Sequence, residues 1–389
     1  MRLHKKLLGW EHKVSFSLER WRSLGGRSSF GSVIQRAPVP GFPPWEDNDP
    51  VWADFATPLN NLFTGDGANF DEATSADLGS LGVTEKWWGG VLAPNGAIYG
   101  IPRDSTTILK VDSSDDSVST FGTLSGSNKW RGGVLAPNGI IYGMPNDSTT
   151  ILRIDTSDDS VTTFGSLSGT GKWVGGVLGP NGIIYGIPAS SRTVLRIDPS
   201  DDSVTTLSDL GQNGQSFGGV LAPNGIIYTI PYYSTVIYKI DTSDDSITTI
   251  GYLSGSAKWI GGVLGPNGII YGIPYNSTSI LRIDPSDDSI TTFGSLTGSG
   301  KWSSGFLAPN GIIYGVPYNS GDILRIDPSD DSVSTITGVF GTLKWQGGVL
   351  ATNGSVYWIP SVSTSVHKHN TVSISVPEDM ALARYWNKL

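Results

Sequence analysis

Gly175-Gly176-Val177-Leu178-Gly179-Pro180-Asn181-Gly182-Ile183-Ile184-Tyr185-Gly186-Ile187-Pro188 contains two strand signals and the turn between them. Gly175–Leu178 alternates small and apolar residues. In Pro180-Asn181-Gly182 the proline presets φ, and asparagine and glycine suit the positions after it, the pattern of a type I turn. Ile183–Pro188 is β-branched and aromatic, which fits a second strand. Thr193–Asp198 gives a third, Pro199-Ser200-Asp201-Asp202-Ser203 a polar turn, and Val204–Leu207 begins a fourth. The unit therefore predicts four short antiparallel strands.

The same unit recurs every 43 residues. Gly89-Gly90 returns as Gly132-Gly133, Gly175-Gly176, Gly218-Gly219, Gly261-Gly262, Ser304-Gly305 and Gly347-Gly348, without insertion or deletion. Four strands in a repeat of about 40–45 residues describe a propeller blade. Paired glycines at the start of the first strand fit an axis where side chains of adjacent blades would collide. The predicted fold is all-β: a seven-bladed β-propeller of four-stranded antiparallel blades over residues 70–376. A non-propeller N-terminal arm and linker (1–69) precede it and a short C-terminal tail (377–389) follows.

Asn-Gly-Ile-Ile-Tyr-Gly followed by Arg-Ile-Asp-Pro-Ser-Asp-Asp-Ser resembles the kelch-type repeat, in which a Gly-x-Ile-Tyr strand precedes one ending Tyr-Asp-Pro. The resemblance covers roughly residues 70–376. It departs from the kelch pattern in that the glycine doublets come before the Ile-Tyr strand. It implies the fold and names no partner.

Ring closure is legible as well. The fourth-strand phrase Thr163-Phe164-Gly165-Ser166-Leu167 has a counterpart 86 residues earlier, Asp77-Leu78-Gly79-Ser80-Leu81, ahead of the first complete unit. Residues near Ala73–Leu81 are therefore expected to complete the last blade. Val372–Val376 also alternates and competes for that place.

Blade connectivity sends the Pro-Asn-Gly and Asp-x-Ser-Asp-Asp turns to one face. The other face receives the Lys-Trp pairs and the variable patch after each Ile-Pro. The pairs are Lys86-Trp87, Lys129-Trp130, Lys172-Trp173, Lys258-Trp259, Lys301-Trp302 and Lys344-Trp345; the patch supplies Tyr232, Tyr233, Tyr275, Asn276, Tyr318 and Asn319. Two readings of the pairs stay open. A flat ring beside a charged donor, with Tyr-Asn nearby, suits hydroxyl-rich ligands; equally, each tryptophan packs between blades, as large aromatics do. The residue after each tryptophan varies (Trp88, Arg131, Val174, Phe217, Ile260, Ser303, Gln346) and reads as an exposed contact position. Ser208–Phe217 abandons Lys-Trp, which marks either drift or a single-copy site.

The aspartate turns lack the spacing of a calcium loop and read as hairpin caps. His367 and His369 share one strand face and replace core residues of the preceding unit, so they read as packing and not as a metal site. No nucleophile, base and orienting group occur together, and no glycine loop cradles phosphate. The sequence is thus read as non-enzymatic, without cofactor, metal or nucleic-acid partner.

The chain has no cysteine among 389 residues, which excludes disulfides and thiolate chemistry, and no apolar run of membrane-spanning length. The start does not read as a secretory signal. The net charge of −9 hides a segregation: residues 1–36 carry eight Lys/Arg against Glu11 and Glu19, whereas 37–80 carry eight acids and no Lys or Arg. Arg2, Lys5, Lys6, Trp10, Lys13, Arg20, Trp21 and Arg22 read as an anchoring segment before an acidic linker. The ending Ala383-Arg384-Tyr385-Trp386-Asn387-Lys388-Leu389 resembles the Arg-Tyr-x-Asn-Lys endings of some marine tailed-phage virion proteins. That resemblance implies a virion location, with other virion proteins as partners of the arm and tail and host-surface glycans as ligands of the Lys/Trp/Tyr face. The alternatives are a cellular kelch-like scaffold holding a protein partner and a propeller lyase or hydrolase using singletons such as Asp209 or His367.

Overall fold

The computed structural model describes residues 75–82, 86–337 and 345–369. The arm, the linker, the C-terminal tail and Val372–Val376 lie outside the described residues. Strand β1 (Ser75–Leu78) is followed by blade one, made of β2 (Trp87–Leu92), β3 (Ala97–Pro102), β4 (Ile108–Asp112) and β5 (Val118–Phe121). Five further blades repeat this order through β25 (Ser332–Ile336), and β26 (Trp345–Leu350), β27 (Val356–Pro360) and β28 (Val366–His369) begin the last. There are seven four-stranded sheets, all antiparallel, and the seventh has the order β1-β28-β27-β26. The chain is a seven-bladed β-propeller.

The N-terminal strand closes the ring. Ser75 pairs with His369, Asp77 with His367 and Leu78 with Val366, so the anticipated strand completes the last blade. The seam is welded by the same contacts that join blades one to six. In blade one, Asn95 Nδ2 donates to the Thr156 carbonyl and the Tyr99 hydroxyl to Asp159 Oδ1, at 2.9 and 2.6 Å, both in the next blade's turn. At the seam Asn353 Nδ2 donates to the Ser113 carbonyl at 2.7 Å and the Tyr357 hydroxyl to Asp116 Oδ1 at 2.6 Å. These bonds also place the Pro-Asn-Gly and aspartate turns on one face, as expected.

Each acid of the aspartate turn has its own task. Asp112 accepts from the Ser114 backbone N–H, and Asp115 from that of Ser117. Asp116, in the left-handed region at φ 63°, reaches the neighbouring blade. Asp159, Asp202, Asp245, Asp288 and Asp331 repeat that conformation, which aspartate tolerates better than most residues. A third-strand cation completes each staple: Lys110–Asp159 at 2.5 Å, Arg196–Asp245 at 3.1 Å and, across the seam, Lys368–Asp116 at 2.7 Å. Burial, and then the bond to aspartate, raises the tyrosines; Tyr142, Tyr228 and Tyr271 are pushed up to about 12, so they remain donors at neutral pH.

The axis is backbone against backbone. A Cβ on Gly132 would lie 3.0 Å from the Gly175 Cα, and one on Gly347 would lie 3.0 Å from the Gly89 Cα. The first glycine of each doublet also has positive φ, 79° at Gly132, at a bulge between Trp130 and Gly133. In blade six the interruption is shorter, Ser304 pairs with Val316, and the side chain is admitted.

Two blades depart from the common core by compensated changes. In blade one a Cβ at Gly100 would meet the Leu109 Cβ at 2.9 Å and the Trp87 ring at 3.4 Å. Blade four places Thr229 at the glycine position, and there Ser216 replaces the tryptophan and Tyr238 the leucine. The Ser216 hydroxyl and the Tyr238 backbone N–H both donate to Thr229 Oγ1, at 3.2 and 3.0 Å. In the closing blade Trp358 takes the glycine place and His367 the leucine place, with ring centroids 4.9 Å apart. His367 Nδ1 lies 2.9 Å from Asp77 Oδ1 on the closing strand. The two histidines are thus buried against Trp358; no group of side chains that could hold a metal occurs among the described residues.

Breaking one staple should weaken the whole ring. Asp245→Asn keeps the side-chain shape and the left-handed backbone but removes the charge held by Tyr185 and Arg196. It is expected to cost about 1–2 kcal/mol in urea unfolding, the modest end for a charged bond at a partly exposed site.

Acid should act through the same groups. Burial works to raise Asp116 and Asp288, but Lys368 with Tyr357, and Lys239 with Tyr228, outweigh it and hold both below the ordinary carboxylate range. Such a carboxylate stays charged in the folded chain where the unfolded chain already binds a proton. Its stabilisation is complete above roughly pH 4 and lost as pH falls through the folded value. A melting series is expected to be flat near neutrality and to drop steeply below pH 4.

Candidate binding face

The tryptophans begin the inner strands; they do not lie in the connections between blades, because the bulge lets each strand start two residues before its glycine doublet. Trp87, Trp130, Trp173, Trp259, Trp302 and Trp345 are each only 2–3% exposed. Each packs under its own blade and against the preceding one. The Trp130 indole N–H donates to the Thr150 carbonyl and that of Trp259 to the Ser279 carbonyl, both at 2.8 Å. With all six rings buried, and the N–H groups of Trp87, Trp130, Trp173, Trp259 and Trp302 committed to backbone carbonyls, these rings present no stacking platform. Of the two readings of the Lys-Trp pairs, this geometry matches packing between blades.

The lysines are equally committed. Lys172 Nζ donates to the carbonyls of Asn146, Ser148 and Gly169 at 2.8–2.9 Å. Lys129 takes Arg103, Ser105 and Gly126; Lys258 takes Tyr232, Ser234 and Gly255; Lys301 takes Tyr275, Ser277 and Gly298. Lys86 makes the same kind of contact across the seam, with the Ser363 carbonyl at 2.6 Å. Burial lowers all five, Lys301 to about 8. Lys344 lies outside the described residues. The constant lysine therefore fixes the backbone of the preceding blade's variable patch, including the residue that faces the axis.

The variable residues carry the chemistry that remains. The positions after the tryptophans were expected to be exposed, but Val174, Ile260, Ser303 and Gln346 are buried. They lie on the inner strands, next to the axial glycine doublets. Only Trp88, Arg131 and Phe217 are partly open. Trp88 and Phe217 pack with Tyr232, Ala257, Ile260 and Tyr275, joining blade one to blades four and five over the axis.

The result is an asymmetric mouth. One wall is phenolic: Phe217 and Tyr232 stack at 4.2 Å and 4°, Tyr232 meets Tyr275 at 5.6 Å, and Tyr275 meets Tyr318 at 6.0 Å. Tyr233 is 48% exposed beside them, and the Asn276 and Asn319 side chains are exposed at the rim. Burial and the neighbouring phenols raise Tyr232 and Tyr275, which stay protonated. The other wall is cationic. The guanidinium carbons of Arg131 and Arg103 lie 4.5 and 5.4 Å from the Trp88 ring centroid. Both arginines donate to one acceptor, Asn128 Oδ1, at 3.0 and 2.8 Å. Burial first, and then the like charge of Arg103, lowers Arg131 to about 10.

The structure thus brings Tyr232, Tyr275 and Tyr318 together with Asn276 and Asn319 alongside, and leaves the tryptophans and lysines in the framework. Sequence reasoning missed Arg103, which occupies the position that is Tyr232, Tyr275 or Tyr318 in later blades; that positional variation was the available signal. A second concavity of about 330 Å³ lies beside Ser168, Thr170, Ser190 and Ser191. Its floor is formed by Lys172 and Trp173, whose polar atoms are already bonded.

Residues 89–249 match a repeat of unknown function (DUF6923). No curated protein matches the chain in sequence. Among solved structures, streptogramin B lyase is 15% identical with a TM-score of 0.68, the alignment covering 77% of this chain and 98% of that one. Virginiamycin B lyase from Staphylococcus aureus gives 15%, 0.68, 77% and 100%. Its catalytically inactive histidine-to-alanine variant with quinupristin gives 14%, 0.67, 77% and 100%. At such identities the likeness is one of fold.

Framework and mouth should separate experimentally. Trp130→Ala is expected to cost about 3–5 kcal/mol as a core truncation. Lys172→Met, which leaves three buried carbonyls short of a donor, should cost about 1–3 kcal/mol. Both would be read by denaturant unfolding, while Trp88→Ala should melt within a few degrees of the parent.

Proposed function

We propose that this protein is a non-enzymatic component of a tailed-phage particle, held there by its basic N-terminal arm and C-terminal tail, that meets host-surface glycans with the mouth of its propeller. The observation that carries the binding half is the loss of sevenfold symmetry at that mouth. Six staples, the axial glycines and the lysine clamps repeat almost unchanged, whereas Trp88, Arg103, Arg131, Phe217, Tyr232, Tyr275 and Tyr318 are each chosen locally. Flat rings beside amide and phenol donors suit a sugar, whose C–H faces stack while its hydroxyls take hydrogen bonds. The virion half rests on the resemblance of the C-terminal tail and on the charge segregation of residues 1–36.

The buried Lys-Trp ring moves the origin of avidity. One asymmetric mouth gives one site per chain, so multivalency comes from copies on the particle. A site near millimolar, about −4 kcal/mol, gains roughly 10²–10⁴ when several copies engage one surface.

A lyase reading draws on the shared fold. In virginiamycin B lyase replacement of a histidine inactivates the enzyme. Here the described histidines are buried in the closing blade. The acids nearest the mouth, Asp104 and Asp147, each spend an oxygen on a backbone N–H, of Asn128 and Gly171. Among the described residues this arrangement supplies binding groups and no poised base. The kelch-like scaffold reading uses the same wall, since the irregular fourth connection delivers Phe217.

A glycan array probed with the full chain is the test. Trp88→Ala and Tyr275→Ala are expected to lose at least tenfold in binding at unchanged fold. Array ligands held equally well by both variants, or an array on which nothing binds, would overturn the adhesion reading.

A further inference from the structure

At the mouth Arg131 keeps a donor that no acceptor takes. Asn128 Oδ1 serves both Arg103 and Arg131, and the Arg131 Nε–H is buried with no hydrogen-bond partner. The two cations are held close in spite of their like charge, and one flat ring, Trp88, lies beside both. Asp104 touches Arg103 at 3.3 Å, but its other oxygen is given to the Asn128 backbone, as one Asp147 oxygen is given to Gly171. No carboxylate among the described residues is hydrogen-bonded to Arg131. A planar acceptor with two oxygens is what such a fork takes best.

We infer that the mouth recognises a carboxylate-bearing sugar, with Arg131 and Arg103 taking the carboxylate while Trp88 and the row from Tyr232 to Tyr318 face the ring. This rests on the mouth being the glycan site. Among the described residues two arginines stand against two nearby aspartates, which favours a monoanionic carboxylate over a dianionic phosphate. The phenols remain protonated and supply donors to hydroxyls, with the exposed amides of Asn276 and Asn319 at the rim. Lys258 and Lys301, clamped on the carbonyls of Tyr232 and Tyr275, hold that wall in place before any ligand arrives.

The test titrates the full chain, by ligand-observed NMR and calorimetry, with methyl β-glucuronide and N-acetylneuraminic acid, with methyl β-glucoside as the neutral counterpart and with inorganic phosphate. At least one acidic sugar is expected to bind ten times more tightly than the glucoside and to weaken as salt is raised. Arg131→Gln should erase that tenfold preference. Arg103→Gln, farther from the axis, should reduce it by a smaller factor and serves if Arg131→Gln does not fold. Equal affinity for acidic and neutral sugars, or an acid preference that survives Arg131→Gln, overturns the inference while leaving the mouth as a glycan site. Phosphate binding more tightly than either acid overturns it in favour of a simple anion site. If none of the sugars binds and the glycan array is also empty, the adhesion reading fails with it.

Discussion

Backbone packing at the axis is the constraint on which the molecule depends. Where a Cβ at Gly132 would come within 3.0 Å of the Gly175 Cα, no side chain fits unless the bulge is relaxed, as it is at Ser304. That closeness fixes the radius of the hub. Everything farther out must then be joined from blade to blade. The Tyr–Asp–cation staples do this on one face and the lysine clamps on the other. The seam uses the same staple that joins blades one to six, and ring closure supplies the missing strand, Ser75–Leu78.

Regularity and specificity therefore occupy different residues. A side chain needed at every junction cannot also distinguish one side of the ring from another, so the constant tryptophans, lysines, tyrosines and aspartates are spent on holding the disc together. Distinction is left to positions that no junction uses. These are the residue after the tryptophan and the residue after the Ile-Pro strand, and both point into the mouth. The lysine clamp links the two roles, since the carbonyls it grips belong to that second set.

Much of this was legible in the sequence. Equal spacing gave the number of blades, turn chemistry gave the strands, and the displaced phrase Asp77–Leu81 gave the closing edge, because each is a local signal repeated with fixed phase. The fate of the tryptophans was not decided, since a ring suited to stacking on sugar is equally suited to burial between sheets. The bulge that draws Trp173 into its strand is a backbone event that no residue type announces. Val174 and Ile260 were misjudged as exposed for a related reason: free variation usually marks solvent, but at a crowded axis it marks packing against a different neighbour. The swap of Trp, Gly and Leu for Ser216, Thr229 and Tyr238 was visible as three separate irregularities and made sense only once pairing put them side by side.

The claim that repeated junctions make one cooperative ring is tested most directly by amide hydrogen exchange on Asp116→Asn, which loosens the seam alone. A cooperative ring predicts faster exchange in the inner strands of all seven blades, including blade four on the far side of the hub, by a similar factor. Acceleration confined to the first and last blades, with blade four unchanged, would contradict it.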